Sequence, residues 1–298
     1  MNIAHHAAFM RKKSQVSHQF SRAATSYDEA ATIQQQALDV LIERLKQSRG
    51  EQQIPDIQGE WLDIGCGTGK AFDPLSNAGA SKITGLDLSQ GMLKVAALRA
   101  NSNVSLVQAD ADELPVADHS LDGILSCLML QWSQNTHHTL KEWARTLKAG
   151  GTMAIATLLP GTHDELALAW AKVDDHTHVN RFDSPGLLTS AFDEANLTIR
   201  KLHQTTLTER YSSLPELLRS LKAIGATNVN PGRQKGLMTR STLRQLEQHY
   251  PRDKQGRLPL SYEVCWIIAS GPENNTAETV SRPSSTTRIF SFADEQHK

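Results

Sequence analysis

Cysteine is nearly absent: three residues in 298, at Cys66, Cys127 and Cys265, are too few and too scattered for a disulfide framework or a zinc cluster. No apolar run approaches the roughly 18–20 residues that cross a bilayer. The opening segment, MNIAHHAAFMRKK, has no apolar stretch leading to a cleavage site, so no secretory signal is expected. Nor is there a surplus of charge. Lys and Arg number 31 against 32 Asp and Glu, a net charge of −1, which argues against a uniformly basic nucleic-acid binder. These absences predict a reduced, cytoplasmic protein with no membrane, no nucleic acid and no metal among its partners. What is present is ordinary for a globular chain, with 39% hydrophobic and 21% charged residues in a length ample for a substantial core.

Apolar periodicity divides the chain. Residues 14–50 carry helix-spaced apolar positions (Val16, Phe20, Ala23, Ala24, Tyr27, then Ile33 to Leu45), and a polar break follows. From WLDIGCGTG onward, short apolar strands alternate with helical stretches: ITGLDLS, VSLVQAD, LDGILSCLML and GTMAIATLL are strands. Such alternation describes a parallel α/β sheet with right-handed crossovers. After Pro160 the pattern loosens into helices, with TIRKLHQTTLTERY and LSYEVCWIIAS as two later strands. The expected architecture is a doubly wound, mostly parallel seven-stranded sheet. An N-terminal helical lid region (1–57) precedes a domain over 58–271, whose helical cap (about 211–257) is inserted between late strands. Residues 272–298, rich in Ser, Thr, Asn and Pro, read as a disordered tail.

The most informative segment is Asp63-Ile-Gly-Cys-Gly-Thr-Gly69, placed between a strand and a helix. Glycines at 65, 67 and 69 let the backbone approach a ligand where a Cβ would clash. The dinucleotide fingerprint wants a further glycine at position 70, which is Lys70 here. Asp63, two residues before the first glycine, suits a ligand bearing an ammonium group. Asp87 closes the next strand, where a carboxylate can accept from two ribose hydroxyls, and Asp110-Ala111 closes the third, where it can read an adenine edge. Strand ends of this kind converge on the carboxyl edge of the sheet at its topological switch point.

LDIGCGTG, GLDLS, QADADELP with LDGILS, and LKAGG together resemble the class I S-adenosylmethionine-dependent methyltransferases over roughly residues 58–160. The resemblance implies a Rossmann-like methyltransferase fold that takes S-adenosyl-L-methionine. Gly65, Cys66, Gly67 and Gly69 would line its methionine and ribose, with Asp63 at the amino group, Asp87 and Leu88 at the ribose, and Asp110 and Ala111 at the adenine. Arg145, on a helix of that fold, reads as structural. Cys66 and Cys127 read as buried and inert, and the paired histidines 5–6 and 137–138 as surface residues.

The lead-in Phe20-Ser-Arg-Ala-Ala-Thr-Ser-Tyr27-Asp28, with SCLMLQW at 126–132, HVNRF at 178–182 and LLRSLKAIGATNV at 217–229, looks like the malonyl-acyl-carrier-protein O-methyltransferases (BioC) of biotin synthesis. That resemblance spans about residues 14–270. It implies methylation of the free carboxyl of malonyl-acyl-carrier protein; malonyl-coenzyme A presents the same group, and a quinone precursor or a free acid is the alternative acceptor. Charge distribution agrees. Residues 200–257 hold twelve Lys or Arg against four acids, whereas 101–199 hold five against thirteen. A basic face over 200–257 would steer an acidic carrier protein. A carboxylate acceptor, already ionised at neutral pH, needs no general base but does need holding, which a bidentate arginine does well. The candidates are Arg219, then Lys222 and Arg181. Tyr27 is expected on the lid, and Gln131 and Trp132 beside the acceptor.

Overall fold

The computed structural model describes residues 13–50, 57–225 and 239–273. Residues 1–12 of the histidine-bearing opening, residues 226–229 of the cap motif, Arg233, Lys235 and residues 274–298 of the expected tail lie outside the described residues. Helices α1 (Lys13–Ala23), α2 (Tyr27–Ala30) and α3 (Thr32–Gly50) lead into β1 (Glu60–Ile64), α4 (Phe72–Ala78), β2 (Lys82–Asp87), α5 (Gln90–Ala96) and β3 (Val104–Gln108). Then come β4 (Leu121–Cys127), a 3₁₀ turn (Leu130–Trp132), α6 (Thr136–Thr146), β5 (Leu147–Leu158), α7 (Asp164–Trp170), α8 (Pro185–Glu194) and β6 (Thr198–Tyr211). Two cap helices, α9 (Leu214–Ala223) and α10 (Arg240–His249), precede β7 (Leu258–Ser270).

The seven strands form one sheet in the order β3-β2-β1-β4-β5-β7-β6. Every pairing is parallel except those of β7, which runs antiparallel to both β5 and β6. The central strands are apolar on both faces because both faces are covered: four of the five β1 residues are buried. One face packs under α3 and α4 through Leu41, Leu45, Phe72 and Leu75. The other packs under α6 and α8 through Leu140, Trp143, Leu188 and Phe192. Side chains close the helix starts: Ser89 accepts from Met92 N–H, Asn135 from His138 N–H, and Ser184 from Leu187 N–H just before Pro185. Strand order reverses between β2-β1 and β4, which opens a crevice above the carboxyl ends of those strands.

The N-terminal region divides differently from the single lid expected over 1–57. Helix α3 is a layer of the core: Ala37, Leu41 and Leu45 are fully buried, and the Trp266 indole N–H donates to the Ala37 carbonyl at 2.8 Å. Helix α3 reaches the crevice at its start, through Gln34, whereas α1 and α2 cover it. Helix α1 is held across α5 by polar contacts: Ser17 Oγ donates to the Leu88 carbonyl at 3.0 Å, the Ser21 and Ser89 hydroxyls are 2.8 Å apart, and Gly91 N–H donates to Ser21 Oγ at 3.3 Å. Among the described residues no helix is long and apolar enough to cross a membrane.

Candidate functional site

The loop after β1 builds the floor of the crevice. Gly65 turns the chain at φ +72°, where an added Cβ would lie 2.4 Å from Met129 Cγ. Its N–H and that of Cys66 both donate to the Leu86 carbonyl, at 2.7 and 3.0 Å, which ties the loop to β2. Asp87, at the end of β2, braces the loop's far side: Oδ2 accepts from Gly67 N–H at 3.0 Å and Oδ1 from Ser89 N–H at 2.7 Å. Burial pushes the Asp87 carboxyl up to about 6, opposed by these N–H donors. At Gly67 a Cβ would meet nothing within 4 Å, so that side of the loop is open space.

Two adjoining cavities meet at this loop. The main cleft, about 1310 Å³ with its open mouth, is lined by Gly65, Gly67, Asp87, Leu88, Asp110 and Ala111 among others. A smaller cavity, about 480 Å³, holds Asp63 and Cys66 and shares Tyr27, Gln34, Gly65, Gly67 and Cys127 with the first. Asp63 is 2% exposed, and its Oδ2 has no hydrogen-bond partner. Burial, with the Asp87 charge adding to it, pushes its carboxyl up to about 8. A buried carboxylate without a partner is costly unless a cation or a proton joins it. Gly69 lines neither cavity. It turns at φ +82° with the Phe72 ring against it, so its part is to shape the loop.

Asp110 and Ala111 line the cleft, but Asp110 is already engaged. Its Oδ2 accepts from Lys13 Nζ at 2.6 Å, and the same ammonium lies 2.7 Å from Asp112 Oδ2. Asp112 is held below its usual range, the Lys13 and Thr139 hydrogen bonds outweighing its burial. Lys13 therefore pins the start of α1 to the end of β3. A second tie fixes α2 to the glycine loop: Asp28 accepts from Thr68 Oγ1 at 2.7 Å and from Arg99 Nη2 at 2.6 Å, while Arg99 Nη1 donates to the Thr68 carbonyl. Phe20 completes the cover, edge-on to Trp132 with ring centroids 5.3 Å apart.

Tyr27, Gln131 and Trp132 all line the main cleft. Burial, then the neighbouring acidic groups of Cys127, Asp87 and Asp28, push the Tyr27 phenol far above its ordinary range. Gln131 is braced by its own turn, its Nε2 donating to the Leu128 carbonyl at 2.7 Å. The three cations expected at the acceptor lie elsewhere. Helix α9 turns Leu214, Leu217 and Leu221 inward, so Arg219 and Lys222 fall on its exposed side; Arg219 Nε donates one turn back to the Pro215 carbonyl at 3.1 Å. Arg181 is exposed and lines an adjoining surface groove, which shares Asn180 and Phe182 with the main cleft but does not bring Arg181 into it. The cap does reach the cleft, through Ile224. Arg145 braces its own surroundings, contacting Glu142, Asp118 and the Val116 carbonyl.

Lys13 and His163 are among the cleft-wall residues that the sequence did not single out, and Asn180 entered only as part of the HVNRF segment. His163 follows β5 at φ +63°, is 8% exposed, and stands edge-on to Tyr262 with centroids 4.6 Å apart. Burial pulls its imidazole down to about 4, so the ring is neutral at pH 7. Its Nε2 and the Asn180 Oδ1 are buried and lack hydrogen-bond partners. Position alone was the available signal for His163, because it lies just past a strand end at the carboxyl edge of the sheet.

A family model described as a methyltransferase domain matches residues 62–155. The YcgJ protein of Bacillus subtilis, a solved structure, superposes with a TM-score of 0.58 at 19% identity, covering 80% of this chain and 100% of that one; at that identity it supports the fold alone. The biotin biosynthesis bifunctional protein BioHC of Teredinibacter turnerae is 35% identical over 280 residues, 90% of this chain and 48% of its own length, so the chain spans about half of that relative. The malonyl-[acyl-carrier protein] O-methyltransferase of Serratia marcescens is 37% identical over 257 residues, covering 86% of this chain and 95% of that one. With that much of a single-function relative matched at that identity, the chain belongs to the malonyl-[acyl-carrier protein] O-methyltransferase family.

Proposed function

We propose that this protein is a cytoplasmic S-adenosylmethionine-dependent methyltransferase that esterifies the free carboxyl of malonyl-acyl-carrier protein, the step that enters pimeloyl synthesis for biotin. The observation that carries the reading is the 37% identity over nearly the full length of a relative named for that reaction, in a chain with glycine loop, lid and cap together.

The site fits the cofactor. Asp63, buried and with Oδ2 unpartnered, would meet its amino group; Asp87 and Leu88 would lie at the ribose; Asp110 and Ala111 would flank the adenine. When bound, S-adenosylmethionine supplies a methyl group made electrophilic by a positively charged sulfur. The acceptor carboxylate is ionised at neutral pH, its pKa being about 4 by analogy with side-chain carboxyls, so the protein need not remove a proton. Its contribution is to exclude water and to align the two reactants, the work of Phe20, Tyr27 and Trp132 under the pinned helix α1. Outside, Arg219, Lys222, Arg240, Arg244 and Lys254 are among the exposed cations of 200–257 and would contribute to a basic face offered to an acidic carrier.

Transfer of labelled methyl from S-adenosylmethionine to malonyl-acyl-carrier protein and to malonyl-coenzyme A, at low and high salt, tests the reading. The expected result is strong labelling of the carrier protein that falls as salt screens the docking charges. Absence of label on both thioesters, with the cofactor bound, overturns it.

A further inference from the structure

We infer that His163 and Asn180 form the acceptor end of the cleft and hold the substrate's carboxylate with neutral hydrogen-bond donors, where an arginine clamp was expected. The inference rests on the carboxyl-methylating reading above and deepens it by assigning the substrate-holding residues.

Three observations converge. First, both residues line the same cleft as the glycine loop and Asp87, and both carry a buried polar atom without a partner. Buried polar atoms are nearly always satisfied, so orphans that line a cavity mark where a ligand completes the bonding. Second, His163 is held in place by its surroundings. Its backbone N–H donates to the Ser261 carbonyl at 2.7 Å, and the Tyr262 ring packs against the imidazole. Third, the only Lys or Arg among the described residues lining this cleft is Lys13, and Asp110 and Asp112 already hold it.

Neutral donors suit the chemistry. A guanidinium would draw negative charge away from the oxygen that must attack, and would be left beside an uncharged ester after transfer. An imidazole N–H and a carboxamide orient the same oxygen without either cost. The unpartnered Asn180 atom is placed as its carbonyl oxygen; a half-turn of the amide exchanges oxygen and nitrogen, and with the nitrogen toward the cleft it donates to the carboxylate or to the thioester carbonyl beside it.

The test uses the full chain saturated with S-adenosylhomocysteine. In wild-type protein with ¹⁵N-labelled histidine, malonyl-acyl-carrier protein is expected to shift the ring-nitrogen signals of His163, whereas acetyl-acyl-carrier protein, which lacks the carboxylate, leaves them in place. In steady state, His163→Ala and Asn180→Ala are each expected to raise the malonyl-carrier KM about tenfold, the scale of one lost charged hydrogen bond. Cofactor affinity should stay within about twofold, and His163→Gln, which keeps a neutral donor, should recover part of the loss. Ring signals indifferent to malonyl-carrier, an unchanged KM, or a KM rise matched by an equal loss of cofactor affinity overturns the assignment. The ring-nitrogen measurement and Asn180→Ala stand if His163→Ala fails to fold. Wild-type protein that methylates no malonyl thioester would instead remove the reading on which the assignment rests.

Discussion

Closure of helix α1 over the cleft depends on one crossing, and Gly91→Ala perturbs that crossing without touching the cofactor loop. A Cβ on Gly91 would stand 2.6 Å from Ser21 Cα and 2.7 Å from the Ser21 carbonyl oxygen. Both are backbone atoms, so relief requires moving the whole of α1. Within α5 itself the substitution is favourable by roughly 0.5–1 kcal/mol, since alanine is the better helix former. Displacing α1 removes the Ser17–Leu88, Ser21–Ser89 and Gly91–Ser21 hydrogen bonds, at about 1 kcal/mol each. It also loosens Lys13 from Asp110 and Asp112, a partly exposed group worth up to about 1 kcal/mol more. A shift of about 3–4 kcal/mol changes the closed-to-open ratio by roughly 100- to 1000-fold. Hydrogen exchange read by mass spectrometry supplies an internal control. Peptides from α1 should exchange about 100-fold faster, while those from α3, anchored through Trp266, stay protected. Methyl transfer should fall at least about tenfold, with the melting temperature within a few degrees of wild type. Wild-type exchange in α1, or α3 loosening in step with it, would refute the lid assignment.

Four further outcomes follow from the same contacts. Because Asp63 stands near pKa 8, it is mostly protonated at pH 7 in the free protein. An ammonium group placed beside it favours the carboxylate, so cofactor binding should release about one proton at pH 7 and little at pH 9.5, measurable by calorimetry in buffers of different ionisation enthalpy. By the same linkage, a folded pKa raised above the unfolded value of 3.8 makes the free protein lose stability as pH rises from about 4 through 8; urea midpoints at pH 5 and pH 8 should diverge in wild type and move closer together in Asp63→Asn, with Asp87, also raised, keeping part of the difference. Arg145→Met leaves the 6%-exposed Glu142 without its cation and should destabilise by about 3 kcal/mol, while KM values of the folded enzyme stay unchanged. Asp28→Ala cuts the ties to Thr68 and Arg99 and should weaken cofactor binding by about 1 kcal/mol with little change in melting.

How far the sequence alone reaches depends on how each half of the site is made. The proposed cofactor half is local in sequence: one glycine loop and the ends of β1, β2 and β3, with an acid at or beside each strand end. Asp63, Asp87 and Asp110 were therefore legible, and the register that sets Asp63 opposite Gly85 and Asp87 opposite Gln108 brings them to one edge. What the strand pattern did not show is that Lys13 had already taken Asp110, because an ion pair 97 residues apart leaves no local trace.

The proposed acceptor half is assembled from separated segments, with Phe20, Trp132, His163, Asn180, Ile224 and Tyr262 meeting on one cleft only in the folded chain. The expectation of Arg219 and Lys222 there came from charge, and the helix period in the same segment argued against it. Leu214, Leu217 and Leu221 define the buried stripe, and Arg219 lies two residues past Leu217, on the opposite face. The exposure that keeps those cations available to an acidic carrier also keeps them out of the cleft. His163 shows the converse. A single histidine after Pro160 carries no periodicity; its meaning comes from being buried, neutral and unpartnered beside the glycine loop, properties that belong to the packing. A charged docking face outside and a neutral acceptor pocket inside are consistent with one substrate, because the carrier protein is steered by long-range charge while its carboxylate must keep its own charge to react.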